Sequence, residues 1–117
     1  MPTSRSVEVG DVPKYLIRAK YTASGAAGLL KEGGTGRVKA ITSLIEGGGG
    51  TVESIYWVMG DDDIIIIADA PDTASAAALS LNVGASGAAS CSTSELLTAG
   101  QLDDIAKRQI TYRAPGT

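Results

Sequence analysis

The chain has 117 residues, 44% of them hydrophobic, and a net charge of −3 from ten basic and 13 acidic side chains. That length sets one domain with its own core, and scattered basic residues in an acidic chain argue against nucleic acid, whose phosphates need clustered Lys and Arg. Histidine is absent, which removes Ser-His-Asp and Cys-His catalysis, His-ligated haem and most zinc sites, and the single cysteine, Cys91, cannot close an internal disulfide.

Residues 1–13 read as a flexible leader and residues 14–117 as one domain. Met1 to Val12 lacks the apolar centre of a signal peptide, and no segment reaches the ~18 apolar residues that span a bilayer, so cytoplasmic residence is the expectation. Lys14 to Tyr21 alternates as a first strand, with Tyr15, Ile17, Ala19 and Tyr21 on one face and Leu16, Arg18 and Lys20 on the other. Thr22 is an N-cap for a helix carrying Ala23, Ala26, Leu29 and Leu30. Gly33-Gly34-Thr35-Gly36 interrupts this stripe, which resumes with Val38, Ile41, Leu44 and Ile45 until Gly47 to Gly50 ends it.

Thr51 to Met59, with Val52, Ile55, Tyr56, Trp57 and Val58, has the composition of a second strand. The turn Gly60-Asp61-Asp62-Asp63 then feeds a run of isoleucines, Ile64 to Ile67, as a hairpin. A strand apolar on both faces needs both faces covered. Pro71 and Asp72 open an alanine-rich second helix from Thr73 to about Ala85, closed by Gly84 and Gly87. Ala88 to Leu97 is a more polar strand. Thr98 and Gln101 form a capping box for a last helix expected to bury Leu102, Ile105 and Ala106, and Ile110 to Arg113 read as a short extended tail.

The order β-α-β-β-α-β plus a helix predicts an α+β, ferredoxin-like fold with an antiparallel sheet and the isoleucine strand in its middle. Two helices cover one face. The last helix is short, so the other face is expected to pack against another subunit, making the protein a homo-oligomer.

These residues resemble the GYD-domain family. The likeness runs from Tyr15-Leu16-Ile17 and Tyr21-Thr22-Ala23-Ser24-Gly25, through Gly28-Leu29-Leu30-Lys31-Glu32-Gly33-Gly34, to the Gly-rich bend before the second strand. It continues at the Gly60-to-Asp63 turn, Pro71-Asp72 and Gly87, covering about residues 14 to 98. The Gly-Tyr-Asp itself is not intact: Gly60 and an aspartate match, but aspartate stands where the tyrosine would be. The resemblance implies a bacterial ferredoxin-like domain related to the dimeric α/β-barrel group, whose function is mostly unassigned. Related folds include cofactor-free monooxygenases and small-molecule sensors, though fold alone does not fix function.

Arg18, covered by a partner subunit, would need an acceptor, and Asp69 at the end of the isoleucine strand is the candidate. Two readings stand side by side: an interface ion pair, or a pocket between the sheet and the partner where Arg18, Tyr56, Trp57 and Asp69 hold an acidic or apolar small molecule. Asp61-Asp62-Asp63 reads as a solvated turn, since consecutive carboxylates do not converge on one ion. Gly33 to Arg37 precedes a helix and could meet an anion there, but no Gly-Lys-Ser/Thr follows, and a kink with Thr35 as N-cap is the better reading. Cys91 has no cationic sequence neighbour and reads as an inert core thiol. No catalytic residue, metal ligand or cofactor is assigned. The sequence thus predicts a small-molecule-binding or assembly module without catalysis, with a cofactor-independent monooxygenase as the alternative. Its partners would be a second copy of itself and an acidic or apolar ligand, with no nucleic acid and no membrane.

Overall fold

The alternation in Lys14–Tyr21 and the isoleucine run both become central strands. A computed structural model describes residues 12–117. It has the order β1 (Lys14–Tyr21), α1 (Ala23–Gly47), β2 (Thr51–Trp57), β3 (Ile64–Asp69), α2 (Thr73–Ala85), β4 (Ala89–Leu96) and α3 (Ala99–Ala106). Apart from its last two positions, the leader expected over residues 1–13 lies outside the described residues. The four strands form one sheet in the order β2-β3-β1-β4, every neighbouring pair antiparallel. This is an α+β architecture compatible with the ferredoxin-like arrangement.

Register decides which side chains meet. Tyr15, Ile17 and Ala19 stand opposite Ala68, Ile66 and Ile64, and all six are buried beneath the helices. Ile45 from α1, Ala76 from α2 and Ala89 from β4 complete the core. Because successive strand residues point to opposite sides, the isoleucine run divides. Ile64 and Ile66 are core, whereas Ile65 and Ile67 are half-buried on the face that the helices do not cover.

In β2 a bulge changes the side-chain parity. Val52 faces Ala68, but Ser54 already faces Ile67, leaving Glu53 as the extra residue. Val52, Ile55 and Trp57 therefore share the helix-covered face, which plain alternation would have denied them. Α1 is broken where the apolar stripe is interrupted: Gly33 sits at φ +80°, a backbone conformation that favours glycine. Thr22 caps the start of α1 and also donates from its hydroxyl to the carbonyl of Gly87 at 2.7 Å. There the chain is so close that a Cβ built on Gly25 would lie 2.0 Å from the Ala88 carbonyl oxygen. The tripeptide Asp61–Asp63 is more than a solvated turn. Asp63 accepts the Tyr21 amide on its carboxylate at 2.8 Å and donates its own amide to the Ala19 carbonyl at 2.9 Å.

The last helix departs from expectation. Its capping box forms, with Gln101 and Thr98 bonded reciprocally, but no residue of α3 is buried. Leu102 and Ile105, expected to be covered, are 56% and 41% exposed. Capping fixes where a helix starts, not what it packs on, and this amphipathic stripe has no apolar surface of its own chain to lie against. Ile110 and Tyr112 beyond it are also exposed and belong to no strand.

Candidate functional site

Small side chains in the core leave a chamber between the sheet and its two covering helices. Ala19, Ala89 and Cys91 are short where β1 and β4 run together, while Ile41, Leu44 and Ile45 of α1 stand across from Leu79 and Val83 of α2. The resulting cavity has a volume of about 320 Å³, with Ile17, Ile64 and Ile66 from the central strands lining it. Its walls are almost wholly aliphatic. Ser80, one of the few polar residues lining it, is hydrogen-bonded to Thr93 at 2.6 Å.

Tyr21 and Arg37 bring polar groups to the lining. Tyr21 is the last residue of the core face of β1, and Arg37 begins the stripe Arg37, Ile41, Leu44 that runs along α1 beyond its break. Burial pushes the Tyr21 phenol above its usual value; a hydrogen bond from Trp57 and the Arg37 charge act the other way, and Asp63 and Glu32 add to the rise. The Arg37 Nε lies 3.4 Å from Glu32 Oε1, yet it is buried and no hydrogen bond reaches it among the described residues. Burial also pushes the Cys91 thiol up, which suits the inert role expected of it. Among the described residues no group of His, Cys, Asp and Glu is placed to hold a metal ion.

The residues singled out from sequence separate onto two faces. Arg18 and Tyr56 flank Ile65 in one cross-strand row on the face away from the helices. Trp57 stands opposite Ile64, on the helix-covered side, and does not share a surface with them. Asp69 is on Arg18's face but four residues along β3 from Ile65, about 13 Å at strand spacing. It is therefore not the acceptor for Arg18. Lys14 Nζ takes it at 3.0 Å and also binds Glu53, while Arg18 Nε lies 3.9 Å from Asp62 Oδ2. The hydrogen bonds to Glu53 and Asp69 raise the Lys14 pKa. The cavity of the single chain thus lies on the opposite side of the sheet from the expected Arg18 pocket.

Tyr21 and Arg37 were legible as core-face and helix-start residues, but nothing in the sequence joined them. They are 16 positions apart and meet only because α1 folds back across β1. The local signal was Arg37 at the head of an otherwise aliphatic stripe, a charged residue at a position that packs inward.

Comparison with known proteins bears on the fold and the family. No helix among the described residues is long and apolar enough to cross a membrane. No curated protein matches the chain. Among solved structures, the crystal structure of MtbAldR is similar with a TM-score of 0.57 at 15% sequence identity, covering 96% of this chain and 68% of that one. At that identity the likeness is one of fold. The GYD domain family model matches residues 15–106, the whole sheet and all three helices, and the chain belongs to the GYD domain family.

Proposed function

We propose that this protein is a homo-oligomeric, small-molecule-binding module of ferredoxin-like fold that takes one apolar ligand per chain in the cavity beneath α1 and α2. The observation that carries this is the cavity itself: about 320 Å³ of aliphatic space in a chain of 117 residues, where interiors are otherwise packed with few voids larger than a water molecule. An apolar chamber of this kind gains nothing from water and gains contacts from an apolar guest.

The oligomer is supported by the other face. Leu16, Ile65, Ile67 and Tyr56 make an apolar strip on the uncovered side of the sheet, which a second copy's sheet would cover in the manner of a dimeric α/β barrel. In that assembly Arg18 and Asp62 form an ion pair at the seam, and Arg18, Tyr56 and Asp69 serve the interface while the ligand sits behind them.

The alternative, a cofactor-independent monooxygenase, has less support. Such an enzyme must draw a proton from its substrate, and the titratable groups lining the cavity are poor bases. Burial holds the Tyr21 phenol and the Cys91 thiol in their protonated forms at neutral pH, and Arg37 is a permanent cation. Native mass spectrometry of protein purified from its own host tests the proposal. The expected spectrum shows a particle of more than one chain with an apolar molecule retained on each. An empty single chain retires it.

A further inference from the structure

The polar lining narrows the ligand class, and this step rests on the binding reading above. We propose that the cavity selects an uncharged, mainly apolar molecule carrying one hydrogen-bond acceptor, a ketone or ester carbonyl, which sits against Arg37 and Tyr21. Size comes first. An engineered cavity of roughly 150 Å³ accommodates benzene, and this one is about 320 Å³, so the apolar body is of the order of two fused rings. The lining offers that body aliphatic contact on all sides.

The acceptor follows from what Arg37 and Tyr21 leave unmade. Arg37 Nε is buried without a hydrogen bond among the described residues, and a buried donor in that state is unfavourable until an acceptor reaches it. Tyr21 receives a hydrogen bond from Trp57. An indole N–H can only donate, so the phenol's own proton remains to be given. Both groups offer protons, and a ligand that itself brought only donors would satisfy neither.

Charge decides against a carboxylate. Glu32 already stands 3.4 Å from Arg37 Nε and balances it, and the Asp63 carboxylate acts on Tyr21 as a further negative charge. An anionic head would enter an apolar chamber beside two acids with one cation between them. Desolvating it there would need a counter-charge that is already committed. A carbonyl needs none.

Three probes with one bicyclic body separate these ideas: naphthalene, 2-acetonaphthone and 2-naphthoate, titrated into the full chain by calorimetry at pH 7. The ketone is expected to bind about tenfold more tightly than naphthalene, the difference of about one good hydrogen bond, and the carboxylate more weakly than either. Arg37→Met keeps the aliphatic stem, so naphthalene binding should hold while the ketone's advantage disappears. Where that variant fails to fold by circular dichroism, Tyr21→Phe removes one donor and should cut the ketone's advantage alone. Equal binding of naphthalene and ketone overturns the acceptor assignment and leaves the cavity reading intact. Tightest binding by 2-naphthoate overturns the preference for an uncharged head. Failure of all three to bind removes the cavity reading itself.

Discussion

The two faces of the sheet come from the same four strands, one residue out of step, yet they are built for different purposes. Under the helices, Ile64 is only 2% exposed, and its neighbours are aliphatic or small enough to leave a chamber. On the other side, Ile65 and Ile67 stand half-covered beside Tyr56, which is 66% exposed, and two ion pairs, Arg18 with Asp62 and Lys14 with Asp69. An isoleucine on the first face holds the chain together; one on the second is available to hold chains to each other. A run of four identical residues thus encodes two kinds of stability, and only strand parity tells them apart.

The largest expected effect tests that distinction directly. Ile64→Ala removes fully packed atoms from the core and should cost about 3–4 kcal/mol, the usual range for such truncations. Ile67→Ala, made where the chain alone leaves the side chain half-exposed, should cost about 1 kcal/mol or less under conditions where the protein is a single chain. Urea unfolding of both variants measures the difference. Equal losses would mean that the two faces are not distinct.

Charging the uncovered face is the complementary break. Ile65→Lys with Ile67→Lys places two cations where the proposed seam closes on itself, and like charges set against one another at an interface cost several kcal/mol. Light scattering should then report the mass of one chain, with circular dichroism unchanged. A variant that keeps its full assembly would show that the copies meet elsewhere.

Much of this was legible in the residues, and what was not has identifiable causes. Strand parity in β1 and β3, the cap at Thr22, the break at Gly33 and the Asp72 start of α2 all follow from local rules, and each is found in place. The face of Trp57 is not local: it depends on the bulge at Glu53, which no alternation in β2 announces. Nor is the exposure of α3, whose stripe of Leu102 and Ile105 states what the helix wants to bury without saying that its own chain offers no place. The cavity is the least legible feature, because it is made from what side chains lack. Ala19, Ala89 and Cys91 look like ordinary small core residues until β1 and β4 are laid side by side.

A middle-sized effect lies on the helix side, where backbones pack closest. Gly25→Ala would set a Cβ 2.0 Å from the Ala88 carbonyl oxygen, with Tyr21 also within reach at 3.2 Å. Backbone cannot swing aside like a side-chain tip, so the junction of α1 with the start of β4 must open, at a cost of about 1–3 kcal/mol. Because Ala88 and Ala89 also line the cavity, this variant should lose naphthalene binding along with stability. Thermal unfolding and probe titration on the same sample check both.

The smallest effect sharpens the comparison most finely, since it reports on whether the uncovered face is covered in solution. Lys14 stands on that face with its pKa raised, by hydrogen bonds first from Glu53 and then from Asp69. A raised value means the folded state holds the proton more tightly than the unfolded chain does. The stabilisation is therefore complete below the ordinary lysine value of 10.5 and is lost as pH climbs through the higher folded value. In a single chain the Lys14 and Asp69 side chains are 25% and 31% exposed, so water screens the pair and it contributes well under ~1 kcal/mol. Seating a second sheet over Leu16 and Ile67, the row beside Lys14, removes some of that water and strengthens the pair. The alkaline loss of stability should therefore be steeper in the native assembly than in the Ile65→Lys, Ile67→Lys variant, and Lys14→Met should flatten both. Identical alkaline slopes in the assembly and the variant would place the covering copy away from this row.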